Sequence, residues 1–346
     1  MSASQQSNQL GRVTVVLAPP SSSNAYYASS RNVIIDFMVV YAKKIIEAGR
    51  DNVIVLVDKE TKKTIGERLP RDVLLEAHVE DIWMRDFSPA GLNSQALFTY
   101  RPNYLSANDA RLIQRSLTDT VAACGDTNFR GSNLILDGGN VVDNFIDSAI
   151  VTDRVLKDNP TMSRASIEQE LRLKLNYSRI AIIPSEPDDR TGHSDGMVAF
   201  LDKKILAVSP PTTAVEAKLW DSLRQSFGND TTFISLNSEY KDEVWRGYGS
   251  ACGLHVNMLA TDSALYVPTF GADAENQQRG QSAAKDAEVL GQIRAAIGGG
   301  INAKKVVEVP VPFAVCRMGG SVRCLSWAAK GPVADRLVES AQTGRC

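Results

Sequence analysis

Apolar residues recur at three- and four-residue spacing over Asn32 to Ala48, Asn108 to Ala123, Ser166 to Leu175, Thr213 to Phe227 and Ala284 to Ile297, a period that predicts five amphipathic helices. Gly49, Gly125, Gly228 and Gly298 follow four of them, where left-handed caps are common, and Ser163 and Ser166 are plausible starts for the third. Behind each helix comes an apolar run of strand length: Val53 to Val57, Leu134 to Leu136, Ile180 to Ile183, Thr232 to Ile234 and Val306 to Val309, with an extra strand at Val73 to Ala77.

After these strands come five polar strand starts: Asp81 to Asp86, Asp137 to Asn140, Gly192 to Gly196, Cys252 to Asn257 and Gly319 to Cys324. The steps from Asp86 to Asn140, His193, Asn257 and Cys324 are 54, 53, 64 and 67 residues, which is a repeat period. Three units continue into hairpins, at 145–151, 200–208 and 259–267. The expected fold is therefore α/β: a pseudo-fivefold α/β propeller of repeated helix-strand-hairpin units around a central active site. It forms one domain over 11–346, behind a flexible tail over 1–10. A doubly wound dinucleotide-binding fold is the rival, but no GxGxxG follows any strand.

Composition changes this picture mainly by exclusion. The 346 residues carry 38 basic and 40 acidic side chains with no concentrated basic stripe, so nucleic acid is not an expected partner. No apolar run approaches the roughly 20 residues of a membrane span. The polar start Met1 to Ser7 lacks the apolar core of a signal peptide, so a cytoplasmic protein without membrane contact is expected. Five cysteines, an odd number without CxxC spacing, argue against a disulfide framework and against a structural zinc site. Homo-oligomerisation is left open.

Chemistry concentrates in the polar starts. His193 is one of only three histidines, and Asp195 lies two residues on, so in a strand both would face one space between flanking glycines. Cys324 follows the small-residue approach Gly319-Gly320-Ser321, suited to presenting a thiolate. Cys316 reads as a strand-like core residue, Cys346 as a tail residue, Cys124 as a helix end, and Cys252 as the one competitor for the reactive thiol. In Asp81-Ile82-Trp83-Met84-Arg85-Asp86, two carboxylates with an aromatic wall suit a delocalised planar cation, because a guanidinium donates paired hydrogen bonds to carboxylates edge-on and stacks on rings face-on. The bland alternatives are a polar hairpin tip, an inert core thiol and a solvated charged turn.

Taken in order, Trp83 to Pro89, Asp137-Gly138-Gly139-Asn140, Gly192-His193-Ser194-Asp195-Gly196 and Gly319 to Cys324 resemble the blocks of the agmatine deiminase and bacterial-type peptidylarginine deiminase family of guanidine-modifying enzymes. The resemblance spans Asp81 to Trp327 and implies a fivefold pseudosymmetric α/β propeller, in agreement with the repeat. It further implies Asp86 and Asp195 as guanidinium-binding aspartates, His193 as the proton carrier, Cys324 as the nucleophile and Trp83 as a substrate-lining aromatic. Two positions depart from typical agmatine deiminases: Arg323 stands where His usually precedes the nucleophile, and Asp137 where Glu often opens the second block. The strings around His193 and Cys324 look more like the branch near peptidylarginine deiminases.

The implied reaction is hydrolysis of a guanidinium to a ureido product and ammonia through a cysteine thiouronium, with agmatine as the family-named substrate and free or peptidyl arginine as competitors. The partner is thus a small guanidine or an arginine-containing peptide, and no metal or organic cofactor is required. Further substrate-binding candidates are Asn140, Asn257, whose alternative is a structural strand-end role, and Arg101, a candidate partner for a substrate carboxylate or else a solvated loop residue. His255 and His78 read as ordinary hydrogen-bonded histidines. An amidinotransferase and a catalytically silent guanidine-binding module are the readings from other classes.

Overall fold

The computed structural model describes residues 8–346 except 126–127, 188, 210–214, 237–243 and 301–302. Five long helices, Arg31–Ala48, Ala107–Ala123, Arg164–Leu175, Glu216–Phe227 and Ala283–Ile297, lie close to the five read from periodicity; the expected start of the fourth at Thr213 lies outside the described residues. Gly49 shows why the helix signals were readable. With φ at +65° it takes the left-handed turn and returns its N–H to Ile45 and Ile46 carbonyls. Ser163, not Ser166, caps the third helix, its hydroxyl accepting from the Ser166 N–H. A further helix, Pro332–Thr343, follows the last strand.

Five small sheets share one plan, in which two antiparallel strands are followed by a helical crossover to a strand parallel to the second. It is complete in Val142–Asp143, Ser148–Thr152 and Arg179–Ile183; in Val198–Asp202, Ile205–Val208 and Thr232–Ser235; and in Leu259–Ala260, Ala264–Thr269 and Lys305–Pro310. The chain ends build another copy: Ser326–Ala329 runs antiparallel to Thr14–Leu17, which runs parallel to Asn52–Val57, with Leu74–Glu76 at the edge. In the fifth, Ala96–Thr99 pairs in parallel with Arg130–Ile135 after a single antiparallel bridge from Ala90. A separate hairpin joins Val244–Trp245 to Tyr248–Gly249. Each polar segment immediately precedes the first strand of one sheet, as the repeat predicted.

Thr14–Leu17, Asn52–Val57, Ser148–Thr152 and Ala264–Thr269 are buried along their whole length, and alternation sends their successive residues to different cores, whereas strands such as Arg130–Ile135 and Lys305–Pro310 keep exposed polar positions. Ala149 and Val151 enter a cluster shared with Phe98 and Leu134 of the preceding sheet, while Ile150 enters one shared with Val198 and Phe200 of the next. Ala199 and Leu201 then meet Leu265 and Val267, whereas Tyr266 faces Val53 and Val55 of the sheet built from the chain ends. Helices seal these seams. Arg31–Ala48 lies against both Asn52–Val57 and Lys305–Pro310, and Ala283–Ile297 against both Ala264–Thr269 and Val198–Asp202. Deleting one such fully buried side chain costs about 2–5 kcal/mol, because the cavity closes only partly.

Several expectations are corrected. Asn8, assigned to the tail, is buried; its side-chain amide donates to the Val53 and Asp72 carbonyls and its oxygen accepts the Val53 N–H, so it docks on the first sheet. Phe313–Cys316 is a helical turn, not a strand. Disulfides are present, linking Cys124 to Cys346 and Cys252 to Cys316, and Cys324 alone is free. The partners are 222 and 64 residues apart, separations that no local cysteine spacing reveals. The first arises because the helices Ala107–Ala123 and Pro332–Thr343 flank one apolar cluster, in which Val121 meets Leu337 and Ala341. The second removes Cys252 from competition as the reactive thiol. No helix among the described residues is long and apolar enough to cross a membrane.

Candidate active site

The polar segments are turns rather than strand starts. Met84–Phe87 is one helical turn, Gly138–Asn140 and Ser194–Gly196 are tight 3-10 turns, and the Leu325 N–H closes a turn onto the Ser321 carbonyl around Cys324. His193 therefore sits at the start of a turn and not on the strand Val198–Asp202, so strand alternation is not what aims it. Turns crowd functional groups from a few adjacent residues toward one point, and here four segments do so together.

His193 lies between two carboxylates, with Nε2 3.2 Å from Asp137 Oδ2 and Nδ1 3.7 Å from Asp86 Oδ1. Cys324 Sγ is 3.8 Å from Asp195 Oδ2 and accepts from the Asn257 side-chain amide at 3.1 Å. Asn257 is fixed in turn, its oxygen accepting from the Ser321 N–H at 3.1 Å and the Ser321 hydroxyl at 2.9 Å. Arg323 Nε lies 3.5 Å from Asp195 Oδ2, while its Nη2 donates to the Val141 carbonyl at 2.6 Å. All of these side chains are buried, yet Asp86 Oδ1 has no hydrogen-bond partner within the protein. A buried carboxylate oxygen left so is costly unless a cation meets it.

Two glycines make the space. A Cβ on Gly139 would stand 2.4 Å from His193 Nδ1 and 2.7 Å from Asp86 Oδ1. One on Gly320 would stand 2.4 Å from Trp83 Cζ3 and 2.8 Å from Cys324 Cβ, which also places the half-buried Trp83 ring beside the thiol.

Electrostatics follow from burial of these charges together. Burial, with the charges of Asp137 and Asp195 beside it, lifts Asp86 to about 8 against the opposing pull of His193. Burial works against the imidazolium, but Asp86, the hydrogen-bonded Asp137 and Asp195 outweigh it and raise His193 to about 10. Burial also raises Asp195, against Arg323, His193 and Arg85. Cys324 is pushed well above the usual thiol range by burial and then by Asp195 and Asp86, with Asn257 opposing. The site thus favours a protonated thiol and a charged histidine, with Asp86 Oδ1 still lacking a hydrogen-bond donor.

Asp86, His193, Asp195, Cys324 and Trp83 are thus brought together. Asn257 joins them as the residue that holds the thiol and its loop. Asn140 lies in the same turn as Gly139 and uses its oxygen to hold the Thr152 N–H at 2.8 Å, leaving its buried amide nitrogen without a protein partner. Arg101 is exposed and takes part in none of the bonds that join the cluster. Asp137 had stood only as the first letter of a motif; its bond to His193 makes it the residue that orients the imidazole, a role legible only once the second and third turns meet. His255, bonded to Asp286 at 2.8 Å, and His78, on the surface beside Glu80, are ordinary as expected. A surface groove lined by residues such as His78, Arg115 and Cys346 contains none of the cluster.

Residues 11–329 match the Porphyromonas-type peptidyl-arginine deiminase family. Among solved structures the chain is similar to the agmatine deiminase of C. jejuni, with a TM-score of 0.73 at 14% identity over 93% of this chain and 94% of that one. It is also similar to a putative arginine deiminase from Porphyromonas gingivalis, with a TM-score of 0.69 at 18% identity over 92% and 96%. The agmatine deiminase of Enterococcus faecalis gives 0.68 at 16% identity over 93% and 94%. These likenesses show a shared mixed α/β fold. No curated protein matches the sequence.

Proposed function

Because the chain belongs to the Porphyromonas-type peptidyl-arginine deiminase family, we propose that it hydrolyses the guanidinium group of agmatine or an arginine derivative to a ureido product and ammonia, through a covalent intermediate on Cys324. The observation that carries this reading is the convergence of Asp86, His193, Asp195 and a free Cys324 in one buried cluster with an unmet carboxylate oxygen. The five sheets and their shared seams are read in the same way, as one pseudo-fivefold propeller domain with the cluster at its centre.

The chemistry runs from the charges. Asp86 and Asp195 accept the guanidinium N–H groups and keep the cation charged, which leaves its central carbon electrophilic. The cation also supplies the positive charge that the thiol lacks, so arrival of substrate, rather than the resting site, favours the thiolate. As the cation seats, the thiol loses its proton to solvent, and Cys324 Sγ bonds to the guanidinium carbon. The tetrahedral adduct then breaks a C–N bond, and His193 gives its proton to the leaving ammonia. Water attacks the thiouronium that remains and passes one proton to the now neutral His193; the C–S bond breaks as the C=O forms, and the second water proton restores the thiol as the ureido product is released. Asp137 holds His193 in line for both transfers.

The two disulfides favour an oxidising compartment over the cytoplasmic one expected from the N-terminal sequence, since such bonds persist where thiols are not kept reduced. The function is tested by incubating the protein with agmatine, free arginine and arginyl peptides and measuring ureido product and ammonia, with Cys324→Ser as the blank. Loss of at least about 1,000-fold on that substitution is expected for a covalent nucleophile. Ammonia release that survives it, or release only when an amine acceptor is added, defeats the hydrolytic scheme.

A further inference from the structure

The loop that presents Cys324, over 317–325, contains neither helix nor strand, and the segment it lies against, 250–257, contains neither as well. Their register therefore depends on a few discrete ties at the two ends. At one end the Cys252–Cys316 disulfide joins them, and beside it the Ala251 N–H donates to the Cys316 carbonyl at 2.8 Å. At the other end the Arg323 N–H donates to the Asn257 carbonyl at 3.1 Å. There the Asn257 side chain accepts from the Ser321 N–H and hydroxyl while its amide donates to Cys324 Sγ at 3.1 Å. Both bridged cysteines pack in one apolar cluster with Val322 and Leu325, which sit on either side of Arg323 and Cys324.

The segment 250–257 is itself fixed to the frame of the molecule. Buried His255 bonds Asp286 of the helix Ala283–Ile297 at 2.8 Å, and Asp286 also accepts the Phe270 and Gly271 N–H groups. Asn257 is thus carried on a turn anchored to a helix. The disulfide passes that anchorage to the root of the nucleophile loop, where the Gly319 N–H closes on the Cys316 carbonyl at 3.1 Å and the chain bends toward Cys324. Without the covalent bond, the tie at this root is left to a neutral hydrogen bond and apolar packing. One such bond is of modest net worth, whereas a nucleophile misplaced by about 1 Å can lose about 100-fold in rate.

Resting on the deiminase reading above for the reaction it serves, we propose that Cys252 and Cys316 are positioning residues for Cys324: their disulfide locks the Asn257 turn to the nucleophile loop, and its reduction by a dithiol reversibly disarms the site. A thiolate of the dithiol attacks Cys252 Sγ, the member of the pair with an exposed edge, at 8% against 0% for Cys316. The S–S bond breaks, and Cys316 leaves as a thiolate that takes up a proton. The second thiolate of the dithiol then attacks the mixed disulfide and frees Cys252, which is protonated in turn. Two electrons pass to the protein, and the dithiol ends as a disulfide. The other bridge, Cys124–Cys346, joins a helix end to the chain terminus and touches none of the catalytic turns, so opening it serves as the matched control.

The test measures kcat and KM on the guanidine turned over fastest, in the wild type, Cys252→Ala/Cys316→Ala, Cys124→Ala/Cys346→Ala and Asn257→Ala. Opening the Cys252–Cys316 bridge should lower kcat by about 10- to 100-fold with KM little changed, because Asp86 and Asp195 stand on other turns. The Cys124→Ala/Cys346→Ala protein should keep the wild-type kcat. In the Asn257→Ala background, removing the bridge should cost little more, since both changes release the same grip on the sulfur. Should the Cys252→Ala/Cys316→Ala protein fail to fold, Cys124→Ala/Cys346→Ala treated with dithiothreitol opens the same bridge, and kcat should fall and then return when the reductant is removed. An unchanged kcat with the bridge open overturns the proposal. A loss that adds in full to that of Asn257→Ala also overturns it, because the bridge would then act on general stability alone. Alkylation of Cys324 by iodoacetamide, followed by peptide mass mapping, needs no turnover. It should quicken by about 10-fold or more when the Cys252–Cys316 bridge is open and stay unchanged when Cys124–Cys346 is removed. If no guanidine is turned over, the deiminase reading fails by itself, and the alkylation rates alone uphold or defeat the positioning role.

Discussion

Arg323→Met should damage the reaction in a way that alkali repairs. Asp195 can hold a guanidinium only as a carboxylate, and burial already disfavours that form. Arg323 is the largest opposing influence, ahead of His193 and Arg85, while Asp189 adds a like charge. At the Nε to Oδ2 separation of 3.5 Å, an effective dielectric constant of about 20 gives an attraction of about 5 kcal/mol. Cutting one partner of such a buried pair commonly costs about 2–5 kcal/mol, and here that cost appears as a further rise of the Asp195 pKa. Below the raised pKa the charged fraction of Asp195, and with it kcat/KM, should fall, by at most about 30-fold to 3,000-fold. The sign is fixed. An acid whose pKa rises regains its charge at higher pH, so the rising limb of kcat/KM moves to more alkaline pH. In the wild type that limb should lie near pH 8, where Asp86 loses its proton in the free protein. The assay is kcat/KM from pH 6 to 10 for wild type, Arg323→Met and Arg323→Lys, with circular dichroism to confirm folding. Lys should retain more activity than Met at neutral pH. A loss of the same factor at every pH would refute the reasoning, because it would make Arg323 a packing residue and not the counter-charge of Asp195.

Cys324 should titrate well above the ordinary thiol pKa of about 8.5 in the free protein; thiolate absorbance near 240 nm measures this, and ionisation near neutral pH would contradict it. Thiol counting on the unfolded protein should find one reactive cysteine before reduction and five after, a count that also tests both disulfides. Gly139→Ala should lower kcat by about 100-fold or more with little change in fold, because the new methyl displaces His193 and Asp86 from each other. Asp86 and His193 both have folded pKa values above their unfolded ones, so the stability they contribute is fully present below about pH 4 and 6.5 respectively and is lost as pH rises through about 8 and about 10. The melting temperature of the free protein should therefore fall across that range and recover when a guanidine is added; a flat profile would contradict the cluster's electrostatics.

Periodicity exposed the helices and the spacing of polar segments exposed the repeat, because each unit has to bury the same faces in the same order. The closing of the first sheet was not readable: Thr14–Leu17 pairs with Ser326–Ala329, and nothing local marks two strands more than three hundred residues apart as partners. The disulfides were hidden for the same reason. Within the site, the groups that converge were legible because His, Asp and Cys stand beside glycines that make room for a ligand. The bonds of Asp137 to His193 and of Arg323 to the Val141 carbonyl were not. Both join different turns, and as isolated letters in polar segments each resembles a solvated charge.

The charges in the site also account for the survival of a free thiol beside two disulfides. Thiol exchange and oxidation need the thiolate, and its concentration is set by the surroundings of the sulfur. Burial, Asp195 and Asp86 all oppose ionisation of Cys324, and the side chain is only 8% exposed. The resting cysteine is thereby both protonated and screened from oxidants. A guanidinium seated between those two carboxylates cancels the charges that had suppressed the thiolate and places its own carbon beside the sulfur in the same event. On the proposed mechanism one arrangement of charge protects the nucleophile without substrate and activates it with substrate, so reactivity toward small alkylating agents at neutral pH should be far below that of an exposed cysteine.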